Sequence, residues 1–288
     1  MTQAAAKTGL GPTLLAAIEQ NYPANRRIIR DDLASSMLPF GLRALVWLTQ
    51  IPALRDWMVR SIEKKSPGIW GGLLCRKRCI DDILFEPDHE IEAIVNLGTG
   101  FDTRVYRMPS AATIPVWELD QPDNIAQKRN RLARVLGQIP AHIRLLPVDF
   151  DRDDVGSVLS ENGYSPEKQT FFIWEAVSQY LTETGLQSTL KFLSKARQGS
   201  RLVFTYIVKD FIDGENLYAQ KKHYQQFVET GVWLSGVRPE ELSDFLEPYG
   251  WSILEHLDYD DLAEKYVEPT GRTLSALPIE RLVLAIKS

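Results

Sequence analysis

Cysteine is scarce in this chain: 288 residues contain two, Cys75 and Cys79. At a four-residue spacing on a helical pattern they share a face and supply no disulfide framework, so two reduced thiols of a cytoplasmic protein are expected. A surplus of positive charge is also missing. The 33 Lys and Arg stand against 38 Asp and Glu, for a net charge of −5 and a pI near 5.5. The basic residues are scattered, which argues against a surface built to neutralise phosphates and hence against a nucleic-acid partner. Long apolar runs are absent as well. A membrane span needs roughly 20 uninterrupted apolar residues, yet the most apolar stretch, Leu38 to Trp57, is broken by Pro39, Gly41, Arg43, Pro52 and Arg55. Packed helices are expected there, with contact to a greasy substrate or lipid surface as the lesser reading. Residues 1–20 lack the long apolar region and cleavage site of a secretory signal, so export is not expected.

What remains is an ordinary globular composition, 44% hydrophobic and 25% charged, long enough for one α/β domain over 1–288. From Leu10 to about Phe85 apolar residues recur at helical spacing, punctuated by Pro23, Pro39, Pro52 and Pro67. Residues 1–86 therefore read as a helical extension. Next comes a compact apolar run, Ile91 to Leu97, a glycine turn, and a helix start expected from Asp102. Strand candidates recur at Ile114–Leu119, Ile143–Val148, Thr170–Trp174 and Arg201–Val208, separated by helical stretches such as Pro122–Leu136 and Glu183–Arg197. Repeated βα units imply a mostly parallel sheet covered on both faces. Residues 209–238 read as a helical, aromatic insertion placed to lid a pocket. A helix at Pro239–Leu246 and strands at Ser252–Tyr259 and Glu280–Lys287 follow; no crossover helix is evident between these strands, so an antiparallel pair at the sheet edge is expected.

The turn Gly98-Thr99-Gly100 follows a buried-type strand. Lack of Cβ there permits a sharp bend and close approach of backbone to a ligand. A dinucleotide fingerprint needs Gly or Ala at position 103, where this chain has Thr103, and the lysine of a phosphate-binding loop is missing. Two glycines alone also fit an ordinary tight turn. The following strands add weight. The second ends at Asp120, 20 residues after Gly100, where a carboxylate can accept from both ribose hydroxyls. The third ends at Asp149-Phe150, an acid for an adenine amino group beside an aromatic that can cover the ring, and the fourth ends at Glu175. Ligands sit at the carboxyl ends of strands in open α/β sheets, and four consecutive strands finish there with such features.

Four strings carry a family resemblance: Leu74 to Asp82 around Arg76 and Arg78, then Gly98-Thr99-Gly100-Phe101-Asp102-Thr103-Arg104, Glu118-Leu119-Asp120-Gln121-Pro122, and Glu175-Ala176-Val177-Ser178-Gln179-Tyr180. With them the chain resembles the leucine carboxyl methyltransferase family and its bacterial relatives, O-methyltransferases dependent on S-adenosyl-L-methionine (SAM) and often linked to polyketide-type secondary metabolism. Weaker likeness runs from Lys7-Thr8 to Leu277–Arg281. The resemblance implies a class I SAM methyltransferase fold, Rossmann-like and seven-stranded. It implies that Arg76, with Arg78 as second candidate, pairs with the methionyl carboxylate. It also implies that Gly98 and Gly100 approach the cofactor, Asp120 holds the ribose, Asp149 and Phe150 flank adenine, and Glu175 meets the cofactor's amino group. Asp102 and Arg104 either cap and brace the helix expected after the glycines or touch the cofactor directly.

A sulfonium methyl is already activated, so positioning is the main task and no metal is required. A carboxylate acceptor is ionised at neutral pH and needs no base, whereas a hydroxyl does. The four histidines, His89, His142, His223 and His256, fall outside the matched strings. Each reads as a surface or packing residue, which favours a small-molecule carboxylic acid as acceptor. Tyr206 and Arg272 are the candidates to hold it, and Phe211, Tyr218, Tyr224, Phe227 and Trp233 the aromatics that select an apolar acid. A hydroxyl acceptor, a protein C-terminal carboxylate and a SAM-binding module without transferase activity stay open. Oligomeric state is not legible.

Overall fold

Seven strands form one sheet in the order β3-β2-β1-β4-β5-β7-β6 in the computed structural model of the chain. The structure describes residues 9–86, 90–107, 113–274 and 277–288; Lys7, Thr8 and His89 lie outside them. In chain order the helices α1 (Leu10–Glu19), α2 (Phe40–Leu48), α3 (Pro52–Lys65) and α4 (Ile69–Leu84) lead into β1 (Ala93–Leu97). Then come β2 (Val116–Asp120), α5 (Pro122–Leu136), β3 (Ile143–Pro147), α6 (Val155–Glu161), β4 (Thr170–Trp174), α7 (Glu183–Leu193) and β5 (Arg201–Ile207). The chain closes with α8 (Lys209–Ile212), short turns, α9 (Leu242–Leu246), β6 (Trp251–Leu257), α10 (Tyr259–Tyr266) and β7 (Glu280–Lys287). Strands β1 to β5 are parallel, and β7 inserts antiparallel between β5 and β6. This is the class I methyltransferase arrangement, and the strand order reverses between β1 and β4, where a crevice opens at the carboxyl ends.

The period of two along each strand divides the core. Ile94, Val116, Phe171, Ile173 and Val203 face the helical extension, packing with Ile18, Trp70, Leu74, Cys75 and Ile80. Ala93, Val95, Leu97, Trp117, Phe172 and Trp174 face the opposite layer. The two thiols of Cys75 and Cys79 are free and buried on α4. Burial pushes them up, Cys75 to about 12 and Cys79 to about 11. Glu19 ties the extension together, its carboxylate accepting from Ile28 N at 2.8 Å, Trp70 Nε1 at 3.1 Å and Arg272 Nη1 at 2.6 Å.

Two local expectations are corrected. No α-helix begins at Asp102: the chain makes a 3-10 turn at Arg104–Tyr106, because Thr103 and Arg104 turn inward, each 1% exposed. Between β6 and β7 stands the helix α10, started by a reciprocal cap of Asp258 and Asp261 and held by buried Leu262 and Tyr266. The segment 209–238 is a string of short helical turns, including a π turn at Tyr224–Val228. A parallel bridge between Val208 and Val237 closes its base, and Gln220 Nε2 donates to Pro67 O of the extension at 3.3 Å.

Candidate cofactor and acceptor site

The glycine turn is pinned to the next strand: Gly98 N and Thr99 N both donate to Leu119 O, at 2.8 and 2.9 Å. Its two glycines serve different ends. Gly98 has φ +78°, and a Cβ there would stand 2.2 Å from Val177 Cγ2, so the β4 loop packs directly on it. Gly100, at φ +49°, has nothing within 4 Å of an added Cβ; open space lies over this residue. Gly100 N donates to Asp120 Oδ2 at 2.6 Å, while Asp120 Oδ1 accepts from Gln121 N and Asn124 Nδ2, each at 2.7 Å. A carboxylate has about four lone-pair sites, so one on Oδ2 is left for a ligand hydroxyl, where the sequence led us to expect two. Burial raises the Asp120 carboxyl above its usual range against these hydrogen bonds.

Behind the turn sits a buried quartet that the sequence reading did not single out. Lys128 Nζ, 0% exposed, donates to Thr99 Oγ1 at 2.6 Å and Glu118 Oε1 at 2.8 Å, and Tyr106 Oη donates to Glu118 Oε2. It couples β2 and α5 to the glycine turn.

Beside the turn, four separate stretches deliver charges to one place. Arg76 Nε donates to Glu175 Oε1 at 3.0 Å, and its Nη1 donates to both oxygens of Glu280 at 2.6 and 2.7 Å. Arg104 Nε reaches Asp81 Oδ1 at 3.0 Å, its Nη2 reaches Glu175 Oε2 at 2.9 Å, and its Nη1 lies 3.2 Å from Asp102 Oδ2. Arg107 also donates to Asp81. Lys77 Nζ stands 3.8 Å from both Asp102 Oδ1 and Glu175 Oε1. Burial alone would push the Glu175 carboxyl up, but Lys77, Arg104 and Arg76 outweigh it and hold it down at about 2. Asp102 is likewise held well below the usual range, chiefly by Arg104 and Lys77 against burial. A guanidinium has five N–H donors. Arg76 spends three on protein carboxylates, and its Nη2 makes no hydrogen bond among the described residues.

Several expected residues are placed elsewhere. Arg78 pairs with Asp82 at 2.8 Å and donates to Ile28 O at 3.2 Å, because residues two apart on a helix point to nearly opposite sides. Lys77 is the neighbour of Arg76 that faces the cluster. Arg272 is consumed by Glu19 and Arg26 O, stacked 3.9 Å over the Tyr22 ring, and braces the extension. The Phe150 ring is 1% exposed in the core and offers no open face to adenine. Asp149 stays at the crevice edge, accepting from Asp151 N at 3.2 Å. Tyr206 hydrogen-bonds His256 Nε2 at 2.9 Å and lines a cleft of about 240 Å³ with Trp174, Ser178, Ser235 and Gly236. Its neighbour Thr205 lines a separate cleft of about 260 Å³ with Arg76 and Glu280; adjacent strand residues face opposite sides of a sheet.

The insertion carries the expected aromatics. Phe227 stacks on Trp233 with centroids 4.6 Å apart, and Trp233 meets Tyr180 and Phe211 edge-on. Among these rings are buried polar atoms with no hydrogen bond among the described residues: Trp233 Nε1, His223 Nδ1, Gln220 Oε1 and Gln179 Oε1. Burial lowers the pKa of His223. No described group of three or more His, Cys, Asp or Glu side chains is arranged to hold a metal.

The sequence profile of leucine carboxyl methyltransferase matches residues 9–194, well over half of the chain. The chain belongs to this family. Among its relatives is YktD of Bacillus subtilis (strain 168), provisionally named an S-adenosyl-L-methionine-dependent methyltransferase, 28% identical over 197 residues that cover 67% of this chain and 64% of the relative. A protein of Mycobacterium avium (strain 104) with the same provisional name is 30% identical over 194 residues, 63% of each chain. The chain thus spans a little under two thirds of the length of these curated relatives. The solved structure of a DUF574 family protein from Streptomyces avermitilis MA-4680 superposes with a TM-score of 0.56 at 13% identity, covering 82% of this chain and 91% of that one; it shares the fold.

Proposed function

We propose that this chain is a SAM-dependent O-methyltransferase whose acceptor is the carboxylate of a small, largely apolar metabolite. The observation that carries the reading is the charge cluster beside Gly100, where cations and carboxylates from α4, the glycine turn, β4 and β7 meet. Such a cluster suits a zwitterion. The free Nη2 donors of Arg76, with Lys77 at hand, fit a ligand carboxylate, and Glu175 still has lone pairs for a ligand ammonium. The open space over Gly100 admits the ribose, with Asp120 Oδ2 as its acceptor and Asp149 at the adenine edge. Residues 9–86 and 209–238, joined through Gln220 and Pro67, enclose the acceptor side as extension and lid.

When bound, SAM supplies an activated methyl group for in-line displacement by the acceptor oxygen. The protein's part is to hold both partners in line and dry. Asp120 and Glu175 fix the two ends of the cofactor, and the paired charges around Arg104 keep that frame rigid. Trp233 Nε1, a donor without a hydrogen bond among the described residues, suits one oxygen of an acidic acceptor, while Phe227, Phe211 and Tyr180 cover its apolar body. No proton has to leave a carboxylate, so no base is needed. A hydroxyl acceptor is the second reading, favoured by buried His223, whose pKa burial lowers and whose Nδ1 makes no hydrogen bond among the described residues.

Calorimetry with SAM, and transfer of labelled methyl from SAM to a panel of small acids and alcohols, test the proposal in separable steps. SAM binding and base-labile methyl esters are expected. Asp120→Ala is expected to weaken SAM binding by about 1–3 kcal/mol through loss of the hydroxyl contact. A wild-type chain that does not bind SAM overturns the cofactor assignment. Binding without transfer to any acceptor supports a binding module instead.

A further inference from the structure

Eight large hydrophobic side chains are exposed among the described residues, and six of them fall in the 18 residues from Phe40 to Trp57: Phe40, Trp47, Leu48, Ile51, Leu54 and Trp57. Isolated exposed apolar groups need no explanation, but a concentrated set does. Phe40 is 85% exposed, Trp47 65% and Trp57 61%. The helix period places Phe40, Arg43 and Trp47 on one face of α2, and Trp57, Arg60 and Lys64 on one face of α3, all exposed.

The charge of this helical pair runs against the rest of the chain. Arg43, Arg60, Lys64 and Lys65 are exposed, and none forms an ion pair among the described residues. The two acids of the segment are occupied. Asp56 pairs with Arg55 at 3.2 Å, and Glu63 accepts from Gly68 N and Trp70 N. Four unpaired cations beside six exposed apolar groups thus stand on a protein of net charge −5.

The inner side of the pair is anchored. Asn21 Nδ2 donates to Val46 O at 2.8 Å and Thr49 Oγ1 at 2.7 Å, and Arg55 Nη1 donates to Asn21 O at 2.7 Å. Val46 and Val59 are buried beneath. The outer face is therefore preformed on a fixed base and needs no folding to engage a partner.

We propose that the outer face of α2 and α3 docks onto an anionic lipid bilayer surface, lying in the interface with Trp47 and Trp57 at headgroup depth. Tryptophan, aliphatic side chains and unpaired Lys and Arg on one surface are the combination that favours an interfacial site. No described helix is long and apolar enough to cross a membrane, so the contact is with the surface alone. A second copy fits less well, because a two-fold pairing through this face would set the cations of one copy against those of the other.

Cosedimentation of the full chain with vesicles decides the matter. Binding is expected to vesicles of phosphatidylcholine mixed with phosphatidylglycerol, to be weaker on phosphatidylcholine alone, and to fall as salt is raised. Arg60→Glu with Lys64→Glu should weaken partitioning by at least about fivefold for each cation lost. Trp47→Ser with Trp57→Ser should abolish it on both vesicle types, with circular dichroism unchanged because the replaced groups are exposed. A wild-type chain left in the supernatant with anionic vesicles overturns the proposal, as does equal binding by both double variants. So does self-association that the tryptophan variants dissolve in the absence of any vesicle binding.

Discussion

The two sides of the crevice are built on opposite terms. On the side proposed for the cofactor, buried charges are matched to one another at close range: Arg76, Lys77, Arg104 and Arg107 against Asp81, Asp102, Glu175 and Glu280. On the side proposed for the acceptor, buried polar atoms lack hydrogen bonds among the described residues. Four of the twelve buried side-chain polar atoms lacking a hydrogen bond among the described residues lie in residues 209–238, at Asp210, Gln220, His223 and Trp233, against two, Arg104 Nη1 and Arg107 Nε, in the charge cluster. A matched network fixes geometry before any ligand arrives, and its members lose heavily if one is removed. Unmatched groups leave geometry to be completed by what enters. A constant cofactor suits the first design, and an acceptor particular to this protein suits the second.

The largest effects should come from breaking the matched side. Arg104→Met leaves Asp81, Asp102 and Glu175 without their shared cation in a buried setting, and is expected to cost about 3–5 kcal/mol of stability. Urea denaturation measures it; a loss below about 1 kcal/mol would mean that the cluster is hydrated and only loosely paired. Next in size is the pair of glycine variants. Gly98→Ala forces a Cβ into Val177 at a positive φ and should destabilise by roughly 2–4 kcal/mol. Gly100→Ala meets only the conformational cost, roughly 1 kcal/mol, yet should block SAM if the cofactor's sugar lies over that residue. Equal melting temperatures for the two variants would contradict the packing assigned to Gly98.

Acid titration probes the same network without mutation. Glu175 has a folded pKa near about 2, below its ordinary value of 4.5. The unfolded chain therefore binds this proton more readily. The stability that Glu175 contributes is fully present above about pH 4.5 and declines as pH falls toward about 2. Comparing melting temperatures of the wild type and Glu175→Gln across that range isolates the contribution. Parallel acid profiles for the two proteins would remove Glu175 from the network.

Which of this was legible in the sequence follows from which forces leave a local pattern. Apolar runs closed by glycine or acid marked β1 through β4, an apolar run alone marked β5, and β4 and β7 fall at the residues expected, because burial on both faces writes itself as a continuous hydrophobic string. The same burial hid the direction of Tyr206: in a strand with no alternation, nothing local tells Thr205 from Tyr206. Arg76, Asp120 and Glu175 were singled out through motif and strand-end position; the structure sets Arg76 against Glu175 and Asp120 against Gly100. Lys77 and Lys128 were not assigned to the site, and Arg104 only as an alternative to bracing a helix, since a cation is ordinarily solvated and only a tertiary partner makes its burial tolerable. Lys128 is 0% exposed against Glu118, 10 residues away in the chain, with no spacing rule to announce it. The helix α10 was missed because its eight residues bury only three side chains, Tyr259, Leu262 and Tyr266, too short a run for periodicity to register.

The smallest effect, and the one that sharpens the contrast most, belongs to the unmatched side. Trp233→Phe keeps a flat ring against Phe227 and removes one N–H that has no hydrogen bond among the described residues. Folding should hardly notice, since no protein bond is lost. If that N–H is reserved for the acceptor, its removal should raise the KM for an acidic acceptor by about threefold to tenfold, the net worth of one ordinary hydrogen bond, and leave SAM affinity unchanged. The reverse pattern, weaker SAM binding with an unaltered acceptor KM, would place Trp233 on the cofactor side and erase the division drawn above. An unchanged KM together with unchanged SAM affinity would assign the indole to packing alone, and the acceptor's carboxylate would then have to be met by His223 or Lys77.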